Sequence, residues 1–367
     1  MLKPPTLQIF FKFILKEQGY NDKVYKITRI LMQEIIMETR QHKLLEWLKI
    51  QLKNQPFTIN ALTSDASFRR YFRLSTESRT WVVMDAPPQK ETIEPFINVY
   101  HLLKDMDVPA PAIHAVDIVQ GFALLDDLGD LMFLTALTPT NQDHLYSIAM
   151  NTLIKMQQCT TTTLPVFDKQ HMLNEMNLFP EWFLNAYLGL TLTSAEHHLL
   201  MTTFNWLADR LSKQPQVFIH RDYHSRNLMV ISNDTLPKLS VIDFQDAMLG
   251  PITYDLASLL KDCYIKLSET SYYDFAGLFY QQQPMIHTWS MQTFLNELDY
   301  CGLQRHLKVL GIFCRLHLRD NKPNYLHDLP LTMDYTLTCL KRHEEFRPLL
   351  EFIQNRVLPR FKELCQA

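Results

Sequence analysis

Val217-Phe218-Ile219-His220-Arg221-Asp222-Tyr223-His224-Ser225-Arg226-Asn227-Leu228-Met229-Val230-Ile231 is the stretch that decides how this chain is read. Two apolar runs bracket eight residues rich in charge and hydrogen-bonding groups, the pattern of two strands joined by a loop. Sixteen residues past Asn227, the run Leu239 to Phe244 carries Asp243 between Ile242 and Phe244. Apolar strands thus deliver Asp222, Asn227 and Asp243 to one edge. Phosphoryl transfer asks for this set: a carboxylate to orient the attacking hydroxyl and accept its proton, and oxygen ligands for a Mg²⁺ that bridges phosphates. Asp222 fits the first role, Asn227 and Asp243 the second. Taken singly, an Asp at a strand end is usually a turn or cap residue; the reading rests on the three together. His220, adjoining the apolar run, reads as a packed framework residue. Asp255, after Gly250-Pro251, reads as a helix cap or a brace for the loop.

Outward from this island the chain divides in character. Leu44, Leu45, Leu48 and Leu52 recur at helical spacing, and the helix should end near Pro56. Phe57 to Thr63, Phe68 to Leu74 and Thr80 to Met84 then alternate with period two between turn clusters, which predicts a three-stranded antiparallel meander. A helix carrying Ile93, Phe96, Tyr100 and Leu103 follows, then two more strands, the second from Phe122 to Leu125. In the second strand of the meander, Arg69, Tyr71 and Arg73 share one face, and Phe68, Phe72 and Leu74, with Arg70, share the other, which should pack on the helix. Beyond Asp130 the patterns are long and helical. The expected division is an N-terminal extension (1–40), a small antiparallel β lobe (41–128) and a large, mainly helical lobe (129–367), an α+β chain of two lobes.

Composition narrows the function. Eight glycines in 367 residues, none within two positions of another, exclude both the G-x-G-x-x-G and the G-x-x-x-x-G-K-[ST] phosphate loops. With 36 Lys+Arg against 39 Asp+Glu there is no global field for a polyanion, which argues against nucleic acid as a partner. Six scattered cysteines without a C-x-x-C pair read as reduced thiols, and the expected location is cytoplasmic. The apolar run Leu7 to Leu15 is broken by Lys12 and about half a membrane span long, so no membrane association is expected.

His-Arg-Asp, then Asn five residues after the Asp, then an Asp-Phe pair resembles the protein-kinase-like signature. Only eleven residues separate Asp243 from Asp255, too few for an activation segment, which points to a small-molecule kinase. The stretch from Ser64 to about Pro330 resembles the aminoglycoside-phosphotransferase-like kinases, and among them the bacterial anomeric sugar kinases of cell-wall recycling. The residues that carry this are Ser64 to Arg73, Met84-Asp85-Ala86-Pro87-Pro88, the loop itself, Val241 to Ala247, Gly250 to Leu256 and Arg319-Asp320-Asn321-Lys322-Pro323. The resemblance implies a two-lobed protein-kinase-like fold and ATP- and Mg²⁺-dependent phosphorylation of the C1 hydroxyl of N-acetylmuramate or N-acetylglucosamine, a small amino-sugar partner. It places Ser64, Asp65, Ala66 and Ser67 where kinases have a Gly-rich loop, with Arg69, Tyr71 and Arg73 facing the nucleotide. One departure is sharp: Asp85 stands where kinases have their phosphate-pairing lysine, so Arg69 or Arg73 must substitute, anchored by Glu91 or Glu94, or catalysis is lost. His224 and Arg226 flank the path of the phosphoryl group. Cations outnumber acids between Cys301 and Pro330, which suits a substrate carboxylate better than a polycationic aminoglycoside. Arg315, Arg319 and Lys322, with Asp246, are the substrate candidates. An aminoglycoside or other amino-sugar kinase and a nucleotide-binding pseudokinase remain the alternatives.

Overall fold

The computed structural model describes residues 39–62, 68–160, 163–233 and 236–366. The turn Ser64-Asp65-Ala66-Ser67 and all but the last two residues of the expected extension lie outside the described residues. The chain forms two compact units, one of residues up to Glu94 with Ala112–Asp127, the other of Pro95–Pro111 with Leu128 onward.

In the first unit, strands β1 (Thr58–Leu62), β2 (Arg70–Ser75), β3 (Thr80–Asp85), β4 (Ile113–Asp117) and β5 (Phe122–Asp126) form one sheet in the order β1-β2-β3-β5-β4. Every pairing is antiparallel, so the expected meander is present and is extended on one side by β5 and β4. Helix α1, residues 39–51, covers this sheet. Its Leu44, Trp47 and Leu48, with Leu52 just beyond, bury against Leu74, Val83, Phe122 and Leu124. A fully buried leucine contributes about 1.5–3 kcal/mol, so this seam is the main cohesion of the unit. The helix stops earlier than Pro56 because Lys53 and Asn54 turn left-handed at φ 51° and 62°, and Asn54 N–H closes onto the Lys49 carbonyl. Phe68, expected on the packed face, is 63% exposed; it precedes the strand and is not part of its alternation.

Asp85 closes β3 and is fully buried. Arg40 of α1 donates Nε to Oδ1 at 2.7 Å, and Arg70 of β2 donates Nε to Oδ2 at 3.0 Å. Arg40 also donates to the Gln120 carbonyl at 2.8 Å and lies over the Phe122 ring. One carboxylate therefore ties helix, strand and the β4–β5 turn together.

In the second unit, α2 (Glu94–Asp105) brings Phe96 into a stack with Phe244 at 4.8 Å. Helices α3 (Gln142–Gln157), α4 (Lys169–Met176) and α5 (Ser194–Leu211) follow. α5 starts on a capping box in which Thr193 and Glu196 exchange side-chain and backbone hydrogen bonds. The β island separates into two pairs: β6 (Gln216–Ile219) with β9 (Met248–Pro251), and β7 (Leu228–Asn233) with β8 (Leu236–Val241). β9 reads Met-Leu-Gly-Pro, a turn-like composition that hid a strand. Helix α6 (Tyr254–Leu260) is fully buried, α7 is Glu269–Gln282, and α8 (Met291–Leu318) is the long central helix, followed by α9 (Leu329–Arg342). α8 is buried almost all round, the mark of a core helix, yet it carries Arg305 and Lys308 inside. Gly311 lets it approach closely: a Cβ there would lie 2.3 Å from the Leu178 carbonyl.

Candidate active site

The loop between β6 and β7 is held at both ends by carboxylates. Asp255, at the start of α6, accepts from His220 N–H at 2.6 Å and Arg221 N–H at 3.0 Å. Asp262, two residues past α6, accepts from Ser225 N–H at 2.8 Å and Tyr264 N–H at 2.9 Å. Asp255 is thus a brace, one of its two expected readings; Asp262 was missed, although its seven-residue spacing from Asp255 is a helical repeat. In the middle of the loop, the Tyr223 hydroxyl is buried and donates to the Ala149 carbonyl of α3. His220 is the expected framework residue. Its Nδ1 lies 3.3 Å from Asp222 N–H, so Nε2 carries the proton and donates to the Ile242 carbonyl at 2.9 Å.

Arg221 adopts φ 76° and Asp243 φ 62°, left-handed conformations rare for such residues and typical of functional turns. Asn227 Nδ2 donates to the Asp222 carbonyl at 2.9 Å, while Ile242 N–H donates to the Asn227 carbonyl at 3.1 Å. These two bonds bring the Asp222, Asn227 and Asp243 backbones together. Asn227 keeps Oδ1 as a donor oxygen, and exposed Asp243 keeps Oδ2 beyond its 2.8 Å contact from Gln245 to Oδ1. Two hard side-chain oxygens match Mg²⁺, which ordinarily takes one or two of them and completes its shell with water and substrate phosphates.

A buried charged layer underlies the loop. Glu175 of α4 accepts from Arg221 Nη2 at 2.7 Å, Lys308 Nζ at 2.9 Å, Gln304 at 3.1 Å and the Tyr254 hydroxyl at 3.2 Å. Burial pushes its carboxyl up, but Lys308 and Arg221 outweigh it and hold it below the ordinary range. Arg221 is therefore committed inside the unit and is not a receptor for a phosphate on another segment. Arg305 Nη1 donates to the Arg221 carbonyl at 2.9 Å and stands 3.5 Å from Asp222 Oδ1. The Asp222 side chain is 42% exposed. Partial desolvation pushes it up, while Lys308, Arg305, His224 and Arg221 together hold it well below the usual carboxylate range. At neutral pH it is an anion open to solvent on one side.

Burial pushes Asp255 up to about 6, against the lowering pull of His220 and the two backbone N–H groups. A carboxyl raised in the folded state gives a stability contribution that is complete below its unfolded value of 3.8 and is lost as pH rises through about 6. Asp255→Asn, which cannot ionise, is expected to lose less Tm relative to wild type at about pH 8 than at about pH 4.5. An equal loss at both pH values would show that Asp255 keeps its charge without cost.

The remaining candidates sort differently. Arg226 lies over the Tyr264 ring at 3.7 Å, and the His224 ring meets the same tyrosine edge-on at 5.2 Å, with burial lowering its pKa toward the neutral form. Asp246 is exposed, and its carbonyl accepts from Arg221 Nη1 at 3.5 Å. Arg319 is spent in a bidentate pair with Asp320, both contacts 2.8 Å. Arg315 is half-buried, with a buried Nε that has no hydrogen-bond partner among the described residues. The Lys322 N–H closes onto the Leu316 carbonyl at the end of α8. Of the cations between Cys301 and Pro330, Arg305 and Lys308 are the two beneath the loop.

Within the sheet unit, Arg69 is 2% exposed and paired with Glu91, one of the two expected anchors, which precedes α2 and is not part of it. Arg73 pairs with Asp127 through Nε at 2.8 Å and Nη2 at 3.0 Å, and Tyr71 is half-buried between them in sequence.

A family described as "Phosphotransferase enzyme family" matches residues 58–280. The chain is 38% identical over 332 residues to an N-acetylmuramate/N-acetylglucosamine kinase of Pseudomonas putida, covering 86% of this chain and 96% of that protein. It is 37% identical over 329 residues to the protein of the same name from Neisseria meningitidis, covering 87% and 96%. Among solved structures it is similar in fold to choline kinase LicA from Streptococcus pneumoniae, with TM-score 0.58 at 13% identity over 84% of this chain and 99% of that one. ADP-bound aminoglycoside phosphotransferase APH(2'')-Ib gives TM-score 0.55 at 15% identity over 80% and 97%. The chain belongs to the phosphotransferase enzyme family, and its fold is the α+β fold of the aminoglycoside-phosphotransferase and kinase structures. No helix among the described residues is long and apolar enough to cross a membrane.

Proposed function

We propose that this protein transfers the γ-phosphoryl group of ATP to the anomeric C1 hydroxyl of N-acetylmuramate and N-acetylglucosamine, salvaging peptidoglycan sugars in the cytoplasm. The observation that carries the proposal is the fixed Asp222–Asn227–Ile242 backbone link, in a chain whose relatives bear that activity in their names. Asp222 orients the C1 hydroxyl and receives its proton as the sugar oxygen bonds to the γ-phosphorus. The bond from that phosphorus to the β,γ-bridging oxygen breaks, and its electron pair leaves with ADP. A carboxylate held well below its ordinary pKa is a weak base, which suits a loose transition state where the proton leaves late. Asn227 and Asp243 would hold Mg²⁺, which when bound neutralises the phosphate charge. Arg69 and Arg73, each held by an acid, are the candidates for the cation that stands in for the kinase lysine, with Tyr71 and the Ser64 to Ser67 turn completing the nucleotide face; Arg73, a quarter exposed, has surface for a phosphate, whereas Arg69, 2% exposed, is the weaker of the two. His224 and Arg226 are assigned to the phosphoryl or sugar, and Asp246, Arg315 and Lys322 to the sugar; Arg319, occupied by Asp320, is the weakest of the substrate candidates.

The test is a panel of purified protein with ATP or GTP and N-acetylmuramate, N-acetylglucosamine or kanamycin, the phosphate position being read by NMR. A sugar 1-phosphate is the expected product. Phosphorylated kanamycin with untouched amino sugars would move the chain to the antibiotic kinases, and nucleotide binding without turnover would make it a pseudokinase.

A further inference from the structure

Arg305 is 4% exposed, so it has no surface to offer a sugar or a nucleotide. Its Nη1 instead reaches two consecutive residues of the loop, the Arg221 carbonyl at 2.9 Å and the Asp222 carboxylate at 3.5 Å. The guanidinium carbon lies 5.9 Å from the centre of the Tyr254 ring. One turn along α8, Lys308 secures Glu175, which secures the Arg221 guanidinium. Arg221 is thus gripped at its carbonyl by Arg305 and at its side chain by Glu175, while it holds the left-handed turn that presents Asp222.

From this geometry we propose that Arg305 is a positioning residue for phosphoryl transfer: from inside α8 it fixes the direction of the Asp222 carboxylate through a shared contact with the Arg221 carbonyl. The proposal rests on the reading of Asp222 as the base. An aligned hydroxyl and base are worth much in rate, and a displacement of about 1 Å costs on the order of 100-fold. Neither substrate touches Arg305, so its loss should fall on kcat and leave KM alone. A lysine keeps the charge, but its ammonium sits one bond nearer the backbone on a flexible stem and lacks the planar guanidinium set beside the Tyr254 ring, so it does not hold both contacts in the same direction.

The experiment measures kcat and KM for Arg305→Met, Arg305→Lys, Asp222→Asn and the Asp222→Asn double mutants, each with a melting curve. Arg305→Met is expected to lose about 10- to 100-fold in kcat with both KM values within about three-fold of wild type. Arg305→Lys should fold with a near-native Tm and still lose about five-fold or more. Because Arg305 acts through Asp222, the double mutants should be no slower than Asp222→Asn alone. Wild-type kcat in Arg305→Lys, a rise in KM instead of a fall in kcat, or additive losses in the double mutants would each overturn the inference. If Arg305→Met does not fold, Arg305→Lys and its double mutant decide the matter alone. Full activity of Asp222→Asn would overturn the base reading itself. An inactive Asp222→Asn beside fully active Arg305 variants would overturn only the Arg305 inference.

Discussion

Replacing Asp222 with Asn is expected to lower kcat by about 10²- to 10⁴-fold, the range that a positioned proton acceptor supplies. Asn has nearly the same shape and keeps one acceptor oxygen, so the Asn227 bond to the residue 222 carbonyl and the Asp255 brace remain. What disappears is the negative charge that, in the proposed mechanism, holds the acceptor hydroxyl and takes its proton. KM for ATP should change little, because the role proposed for the residue is toward the acceptor. A fall in Tm is expected at neutral pH. The native carboxyl is held below its ordinary value, so its ionised form contributes stability above the unfolded pKa, a contribution lost as pH falls through the folded one. Partial exposure of the side chain keeps that fall small. Steady-state kinetics beside a melting curve separates the two effects, and a variant within about three-fold of wild-type kcat would remove Asp222 from the chemistry.

The second large effect concerns Asp85. Asp85→Ala is expected to destabilise the sheet unit by about 3–5 kcal/mol, because it leaves Arg40 and Arg70 largely buried against no anion. Asp85→Lys restores the residue that kinases carry at this strand end, and it should be worse, setting a third cation against two. Urea unfolding read by tryptophan fluorescence measures it in a background where Trp182, Trp206 and Trp289 are replaced by Phe, since Trp47 and Trp81 both belong to this unit's packing. Nucleotide affinity should fall along with stability. If Asp85→Lys bound ATP more tightly with unchanged stability, Asp85 would be a vacated lysine position and not the clamp its two arginines make of it. The acid here has a structural task, and the cations of the neighbouring strand and its approach, Arg73 and Arg69, are held by other acids, Asp127 and Glu91.

Local patterns reached far in this chain. The polar loop between two apolar runs singled out Asp222 and Asn227, the apolar run after it singled out Asp243, and the period change near residue 57 announced the sheet, because alternation and turn chemistry are written in neighbouring residues. β9 escaped because four residues containing Gly and Pro carry no period, and their pairing with β6 comes from the tertiary fold. The layer beneath the loop escaped for a related reason. Arg305 meets Asp222 across 83 positions, and Gln304 meets Glu175 across 129. In sequence Arg305, Lys308 and Arg315 form an undifferentiated basic stripe, and only helix packing separates the two that are buried beneath the loop from the one that is not. The acids of the sheet unit were half legible: Glu91 was a named anchor for Arg69, but the partners of Asp85 needed α1 to be folded against the sheet.

The two braces of the β6–β7 loop bracket a single short helix, Asp255 at its start and Asp262 just past its end. Seven residues at about 1.5 Å each make a span of roughly 10 Å, so α6 acts as a gauge for the loop above it. The segment from His220 to Ser225 and the segment from Asp255 to Asp262 are therefore locked in length to one another. An insertion in either segment is therefore expected to release one brace.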